Sequence, residues 1–255
     1  MENVDYSKIS DLIGGHKLLY HYTKFESALK ILSSRILLMN PLANMNDINE
    51  VEKYFYSHYT SASFDKRMYD ELKKYQILCF SKDKLVHNDN VIYGYNISSM
   101  WGHYANNYNG CCLMLEKERL LSKNINLFLF SGEIAYSGQN HQRLECNCRK
   151  DEIPKYVKDQ HKSFFFKKTE DWSNEREFRI VSKRNDAKYD RIKIDISDSL
   201  IGVIVLDINH DNVRQLKEVS GAIPIIELTN TLNIAQLVCD GKMFYPNQNK
   251  YKLNI

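Results

Sequence analysis

The chain has 255 residues, with 35 Lys and Arg against 32 Asp and Glu, a formal charge of +3. That balance carries no bulk signature of a nucleic-acid or membrane-surface protein. With only 10 glycines, below the average usage of roughly 7%, and with no G-x-G-x-x-G, G-x-x-x-x-G-K-[ST] or G-x-S-x-G, the chain excludes glycine-cradle nucleotide binders and ordinary α/β-hydrolases.

Residues 17–22 (KLLYHY) read as a strand. Thr23-Lys24-Phe25-Glu26 has the S/T-x-x-E pattern of a capping box and opens a helix whose apolar face is Phe25, Ala28, Leu29 and Leu32. Residues 36–39 (ILLM) read as a short buried strand ended by Asn40-Pro41. Asn46-Asp47 caps the next segment, and two helices fill 48–74. Residues 75–81 (YQILCFS) form a strand, 82–97 a polar loop, and Ser98 or Ser99 starts a short helix through Tyr104. Residues 110–116 (GCCLMLE) read as a central strand and 125–136 as strand material. A helix is expected over 152–170, strands over 176–183, 190–196 and 200–206, a helix over 209–219 and a strand over 223–228.

Helices and strands interleave without strict β-α alternation, so the fold class is α+β. The expected architecture is a single domain over 1–255, with a mixed or antiparallel central sheet and helical insertions. The hydrophobic fraction of 43% suits a globular protein. No apolar run approaches the ~20 residues of a membrane span. The first ten residues carry Glu2 and Asp5 and no apolar stretch, so no secretory signal is expected.

Six cysteines fall at 79, 111, 112, 146, 148 and 239. Adjacent Cys111 and Cys112 in an apolar run read as buried reduced thiols, and the compartment as cytoplasmic. His141, Cys146 and Cys148 have H-x4-C-x-C spacing, not the paired C-x2-C of structural zinc sites, and read as a polar loop; no metal is assigned. Residues 141–193 hold 15 Lys and Arg against 10 Asp and Glu, a local excess that suits a polyanion or the phosphates of NAD, or else a solvated helix face.

Three polar clusters carry candidate chemistry. Tyr20-His21-Tyr22-Thr23 lies at a strand end, where His21 could donate to a ribose or phosphate or serve as a structural histidine. Ser98 to Tyr104 sets Trp101 and Tyr104 on one helix face, a stacking surface or an aromatic core knot, with His103 and Tyr104 the more open residues. In Trp172 to Val181, alternation puts Glu175, Glu177 and Arg179 on one face and Phe178 and Ile180 on the other. Two carboxylates and an arginine are costly to bury unpaired. They mark a polar cleft or a charge ladder, and one Glu beside another is expected to have a raised pKa suited to acid–base work.

These pieces together resemble a bacterial domain-of-unknown-function family, "twenty-nine seventy-one". The matching residues are Leu19 to Thr23, Asn46-Asp47 with Glu50, Cys79-Phe80-Ser81, Met100 to Ala105 with Gly110, and Lys168 with Trp172-x-x-Glu175-x-Glu177-Phe178-Arg179. The resemblance spans roughly 18–205 and leaves 206–255 as a C-terminal β/α extension.

A second resemblance is to the ADP-ribosyltransferase superfamily. His21 on the first strand and Glu175-Arg176-Glu177 at the start of a later one are similar to its elements. It implies an ADP-ribosyltransferase-like fold and NAD as the substrate. His21 would hold a ribose, with Tyr22, Thr23, His103, Tyr104 and Arg179 completing the NAD site. Glu177 would stabilise the oxocarbenium ion as nicotinamide leaves, and Glu175 would orient or deprotonate an acceptor, protein or nucleic acid. The superfamily also carries an aromatic residue midway along the chain, for which Tyr93, Tyr95, Tyr104 and Tyr108 are the candidates. The implied enzyme is a transferase, a bacterial toxin or phage-defence effector. Two readings stand beside it: a non-catalytic module binding a nucleotide or protein along the rim from His21 to Tyr104, and a nucleic-acid enzyme holding magnesium with Glu175, Glu177 and Asp47.

Overall fold

The computed structural model describes residues 17–46, 62–85, 91–138, 149–184, 190–206, 210–231, 234–239 and 241–244. Its strands are β1 (Leu18–Thr23), β2 (Ile36–Leu38), β3 (Asn40–Pro41), β4 (Tyr75–Ser81), β5 (Lys84–Leu85), β6 (Val91–Ile92), β7 (Cys111–Glu116) and β8 (Phe130–Glu133). They continue as β9 (Ala135–Ser137), β10 (Lys167–Thr169), β11 (Glu177–Lys183), β12 (Lys193–Asp195), β13 (Leu200–Leu206), β14 (Ile225–Thr231), β15 (Ile234–Cys239) and β16 (Lys242–Phe244). The helices are α1 (Phe25–Ser34), α2 (Ala62–Leu72), α3 (Ser98–Tyr104), α4 (Lys117–Lys123), α5 (Ile153–Asp159), α6 (His161–Phe165) and α7 (His210–Ser220).

Ten strands form one sheet in the order β16-β15-β14-β13-β7-β1-β4-β11-β8, with β3 added to β4. Only the β13–β14 pair in it is parallel, so the fold is α+β around a mixed sheet. Alternation on β1 and β7 serves both faces. Leu19, Leu113 and Leu115 pack with Phe178, Ile180, Ala28 of α1 and Leu216 of α7. Tyr20, Tyr22, Cys112 and Met114 pack on the opposite face with Met100 and Trp101 of α3. Cys111 and Cys112 are buried, as expected, and among the described cysteines these two, Cys239 and the partly buried Cys79 are in the thiol form, with no disulfide.

The sheet has one interruption that matters. β1 meets β4 in register at Tyr20 and Ser81. The same edge of β4 is taken by β3 at Ile77 and Gln76. Leu78, Cys79 and Phe80 lie between these two pairings, on the stretch where β1 and β4 part. The other edge of β4 stays fully paired to β11, from Glu177 opposite Ser81 to Lys183 opposite Tyr75.

Several sequence expectations need correction. The capping box does not form: Thr23 remains in β1 opposite Cys111, and Lys24 takes the N-cap position with no side-chain bond to the helix. In the short strand β2 only Leu37 is buried; Ile36 is half-buried and Leu38 exposed. Asn40-Pro41 continues as β3 rather than ending in a loop. The polar stretch 82–97 holds the β5–β6 hairpin. The helix expected over 152–170 ends at Phe165, because the chain then extends into β10 beside β9, with Lys168 opposite Tyr136. The strands β15 and β16 were not anticipated. Of the two helices expected to fill 48–74, α2 occupies Ala62–Leu72, while 48–61, the Asp47 cap and the His141, Cys146, Cys148 group lie outside the described residues. Among the described residues, no helix is long and apolar enough to cross a membrane.

Candidate functional site

A cavity of about 910 Å³ opens at the gap between β1 and β4. Tyr20 to Thr23 and Leu78 to Phe80 form its walls, and Tyr104, Lys168, Glu175 and Glu177 line one end. That end is built from three elements that sequence alone does not bring together. Lys168 comes from β10, Glu175 from the turn just before β11, Glu177 from the first residue of β11, and Tyr104 from the end of α3.

The carboxylates reach one point by a backbone device. Glu175 closes a 3-10 turn over Glu170–Glu175, and Arg176 then adopts a left-handed conformation with φ 47° before β11 begins. A non-glycine residue there costs roughly 1–2 kcal/mol. Its guanidinium donates to the Ile92 carbonyl at 2.8 Å, which anchors the turn. Strand alternation, the reason first given for a shared face, therefore applies only from Glu177 onward.

Lys168 Nζ bridges the two carboxylates, at 2.6 Å from Glu175 Oε2 and 2.9 Å from Glu177 Oε2. It also lies 5.0 Å over the Trp172 ring. Arg179 grips Glu177 bidentately, Nε to Oε1 at 2.6 Å and a terminal nitrogen to Oε2 at 3.0 Å, and donates to the Phe165 carbonyl at 3.0 Å. The Tyr104 hydroxyl donates to Glu175 Oε1 at 2.6 Å. Asn46 bonds the same hydroxyl. The Tyr136 hydroxyl accepts from the Glu177 backbone N–H at 2.8 Å. Exposure is 4% for Lys168, 6% for Glu175, 4% for Glu177 and none for Arg179. Two cations and two anions thus cancel in a nearly dry cluster, the arrangement buried charges require.

The electrostatics correct the expected raised glutamate. Burial alone would push Glu177 up, but the Arg179 and Lys168 charges outweigh it and hold the carboxyl down at about 2. Glu177 is therefore a permanent anion and no general acid. Burial, then the Glu175 charge, raise the Tyr104 phenol well above its ordinary value, so it stays a donor. Burial, then Glu177, likewise raise the Cys79 thiol, which remains protonated.

His21 reaches the cavity from the side of α1, the face of Leu19 and Phe178. Alternation puts Glu177 on the opposite face, so the cavity runs through the gap in the sheet. Burial lowers the imidazole pKa below 6.5, the Cys79 hydrogen bond opposes this and the Arg191 charge adds to it. Neutral His21 donates Nδ1–H to the Cys79 carbonyl at 3.0 Å, which leaves Nε2 as an acceptor. Cys79 links the two faces: its carbonyl takes His21 and its thiol bonds Glu177.

The structure brings His21, Thr23, Tyr104, Glu175 and Glu177 to one cavity. Tyr22 borders it as well, but its hydroxyl is spent on the Gly94 carbonyl at 2.7 Å and its ring packs edge-on to Trp101. Trp101 is core, donating to the Tyr95 carbonyl at 2.8 Å. Two expected cofactor contacts fail. His103 is exposed and lines no part of the cavity, because one helical step turns it away from Tyr104. Arg179 lies behind Glu177 and supports it instead of facing the cavity. The sequence pattern contains Lys168 but gives it no role. Its signal is only that buried carboxylates need a cation from elsewhere. Gly110 fits a close approach: a Cβ there would overlap the Thr23 carbonyl oxygen, so glycine lets the chain after α3 reach the end of β1.

The magnesium reading meets an obstacle here. The position between Glu175 and Glu177 is occupied by the Lys168 ammonium, and a dication would sit against it. Among the described residues, no group of three or more His, Cys, Asp or Glu is arranged to hold a metal.

Residues 100–180 match the model of a family described as a protein of unknown function (DUF2971), so the resemblance read from the sequence is borne out over that segment. The match contains Tyr104, Lys168, Glu175, Glu177 and Arg179 but not His21. No curated protein and no solved structure matches the chain.

Proposed function

We propose that this chain, which carries that domain of unknown function at residues 100–180, is an ADP-ribosyltransferase-like enzyme that consumes NAD. The observation that carries the reading is the meeting of Glu175, Glu177, Tyr104 and neutral His21 on one cavity of about 910 Å³. That volume falls in the range of roughly 300–1,000 Å³ typical of small-molecule sites.

The chemistry divides among these residues. The bond from the ribose C1′ to the nicotinamide nitrogen breaks, and its electron pair leaves with nicotinamide. Positive charge develops on the sugar. Glu177, ionised at every pH above about 2, supplies a fixed negative field for it in a site of low polarisability. The acceptor oxygen or nitrogen then bonds to C1′, and its proton passes to Glu175, which Tyr104 and Lys168 hold in place. His21 Nε2 accepts from a ribose hydroxyl. The acceptor, protein or nucleic acid, and a role as toxin or phage-defence effector belong to the same proposal.

Nicotinamide release by the wild type and by Glu177→Gln tests it. Loss of one fixed transition-state contact is expected to slow release by about 10²–10³-fold. Equal release by both proteins, or none by either, rejects the enzyme. A second reading, a non-catalytic nucleotide-binding module, draws on the bidentate Arg179 grip, which leaves Glu177 little capacity toward a ligand. There ADP-ribose binds, nothing turns over, and Glu177→Gln alters stability.

A further inference from the structure

The cavity has a second arm, on the α1 side of the gap. Its wall carries Lys24 and Lys30 from α1 and its N-cap, and Arg191 and Lys193 from β12 and the residue pair before it. Among the described residues, no Asp or Glu lines this arm. The carboxylates of the cavity among the described residues are Glu175 and Glu177, at the far end, and they are already held by Lys168 and Arg179. Among the described residues, no carboxylate forms an ion pair with Lys24, Lys30, Arg191 or Lys193.

The cations are placed by the fold and not merely strewn over a surface. Arg191 donates from Nε to the Met39 carbonyl at 2.8 Å and from a terminal nitrogen to the Leu38 carbonyl at 2.8 Å and Asn40 Oδ1 at 2.5 Å. All three partners are neutral, so the guanidinium is fixed in place with its charge uncompensated. Lys193 pairs in register with Leu38 and stands beside that anchor. Lys30 faces them from α1. Like charges from two elements around one concavity repel each other. They raise the local positive potential, and an anion relieves it. Ser27, Ser34 and Asn40 add neutral polar groups between the charges.

We infer that this arm is a diphosphate-binding wall, which takes the anionic centre of an extended nucleotide whose sugar reaches the carboxylate end through the gap in the sheet. The inference rests on the reading of the cavity as a nucleotide site, and it needs no turnover. A diphosphate suits the wall because it presents several acceptor oxygens and about two charges to four cations spread over two elements.

The test is calorimetric titration of the full chain with ADP-ribose, adenosine and inorganic pyrophosphate. The variants are the double variant Lys30→Glu/Lys193→Glu and, separately, the control Lys150→Glu/Lys158→Glu. Lys30 and Lys193 are exposed, so the double variant is expected to fold. Wild type should bind ADP-ribose more tightly than adenosine, and pyrophosphate should compete. The double variant should lose about tenfold or more in ADP-ribose affinity with adenosine affinity unchanged, and Lys150→Glu/Lys158→Glu, which makes the same charge change outside the cavity, should retain it. If nicotinamide is never released but this pattern holds, the wall stands and the transferase falls. If nicotinamide release depends on Glu177 while the double variant binds ADP-ribose like wild type, the wall falls and the transferase stands. Absence of ADP-ribose binding by wild type overturns the inference. So does tighter binding of a single-stranded oligonucleotide than of ADP-ribose, which would make the arm a strand-binding groove.

Discussion

The two ends of the cavity handle charge in opposite ways. At the carboxylate end, Lys168, Glu175, Glu177 and Arg179 are nearly dry, mutually paired and neutral in sum. At the α1 end, Lys24, Lys30 and Lys193 are exposed and Arg191 is tied only to neutral oxygens. Burial explains the difference. A dry charge without a partner costs several kcal/mol, so folding can tolerate only a closed set. A wet cation costs little unpaired and keeps its charge for a ligand. The first end should therefore control stability strongly, and the second should control binding and hardly affect stability.

The sharpest attempt to break that contrast is Arg179→Leu. It removes the bidentate partner of a buried anion and leaves Glu177 with the neutral Cys79 thiol and Lys168, which Glu175 shares. Breaking one side of a buried pair typically costs about 3–5 kcal/mol. Urea denaturation should show a loss of that order, or no folded protein. A loss below about 1 kcal/mol would mean that the cluster is wetter or looser than described. Arg179→Lys should recover part of the loss, because it restores charge without the fork.

Acid should probe the same end less severely. The Glu177 carboxyl is held at about 2 against an ordinary 4.5. A folded value below the unfolded one means that the unfolded chain binds the proton first as pH falls. The stabilisation is then complete above about pH 4.5 and is lost between there and pH 2. A gap of that size corresponds to roughly 3 kcal/mol. Denaturation midpoints from pH 7 to pH 3 should fall for the wild type and fall less steeply for Glu177→Gln. Parallel profiles would show that Glu177 contributes nothing to the acid limb.

How much of this was legible beforehand follows from whether the cause is local or tertiary. β1, β4, α3 and β13 carry their own periodicity, and the sequence reading of them needs little change. His21, Tyr104, Glu175 and Glu177 stood out because polar residues at strand and helix ends reach the rim of a sheet. Lys168 could not be given its role, because the need for a buried cation arises only once two carboxylates are packed together. The pairing that lowers the Glu177 pKa was equally hidden, so like-charge repulsion gave the wrong sign. His103 and Tyr104 look alike as neighbours, and only the packing of α3 decides which one faces the cavity. The basic arm was only half legible: Arg191 and Lys193 belong to the basic stretch 141–193, but Lys30 and Lys193 are 163 positions apart in number, and it is the β2–β12 pairing beside α1 that joins them.

The mildest test is Tyr104→Phe, which bears on the boundary between the two regimes. Tyr104 is half-buried, and its ring packs at the edge of the Trp101 cluster. The substitution keeps that ring and deletes only the hydroxyl that donates to Glu175 at 2.6 Å. A hydrogen bond to a charged group contributes about 1.5–3 kcal/mol when both partners are dry. The gap opens onto water here, and Asn46 and Lys168 also reach this part of the cluster. The expected stability loss is therefore near the lower end, about 1–2 kcal/mol. If Glu175 receives the acceptor proton, the same variant should also move the pH dependence of nicotinamide release while leaving ADP-ribose affinity within about twofold. A change in ADP-ribose affinity with an unmoved pH profile would instead assign Tyr104 to the binding wall. The boundary between the closed charge cluster and the open arm would then lie closer to Glu177 than the hydrogen bonds place it.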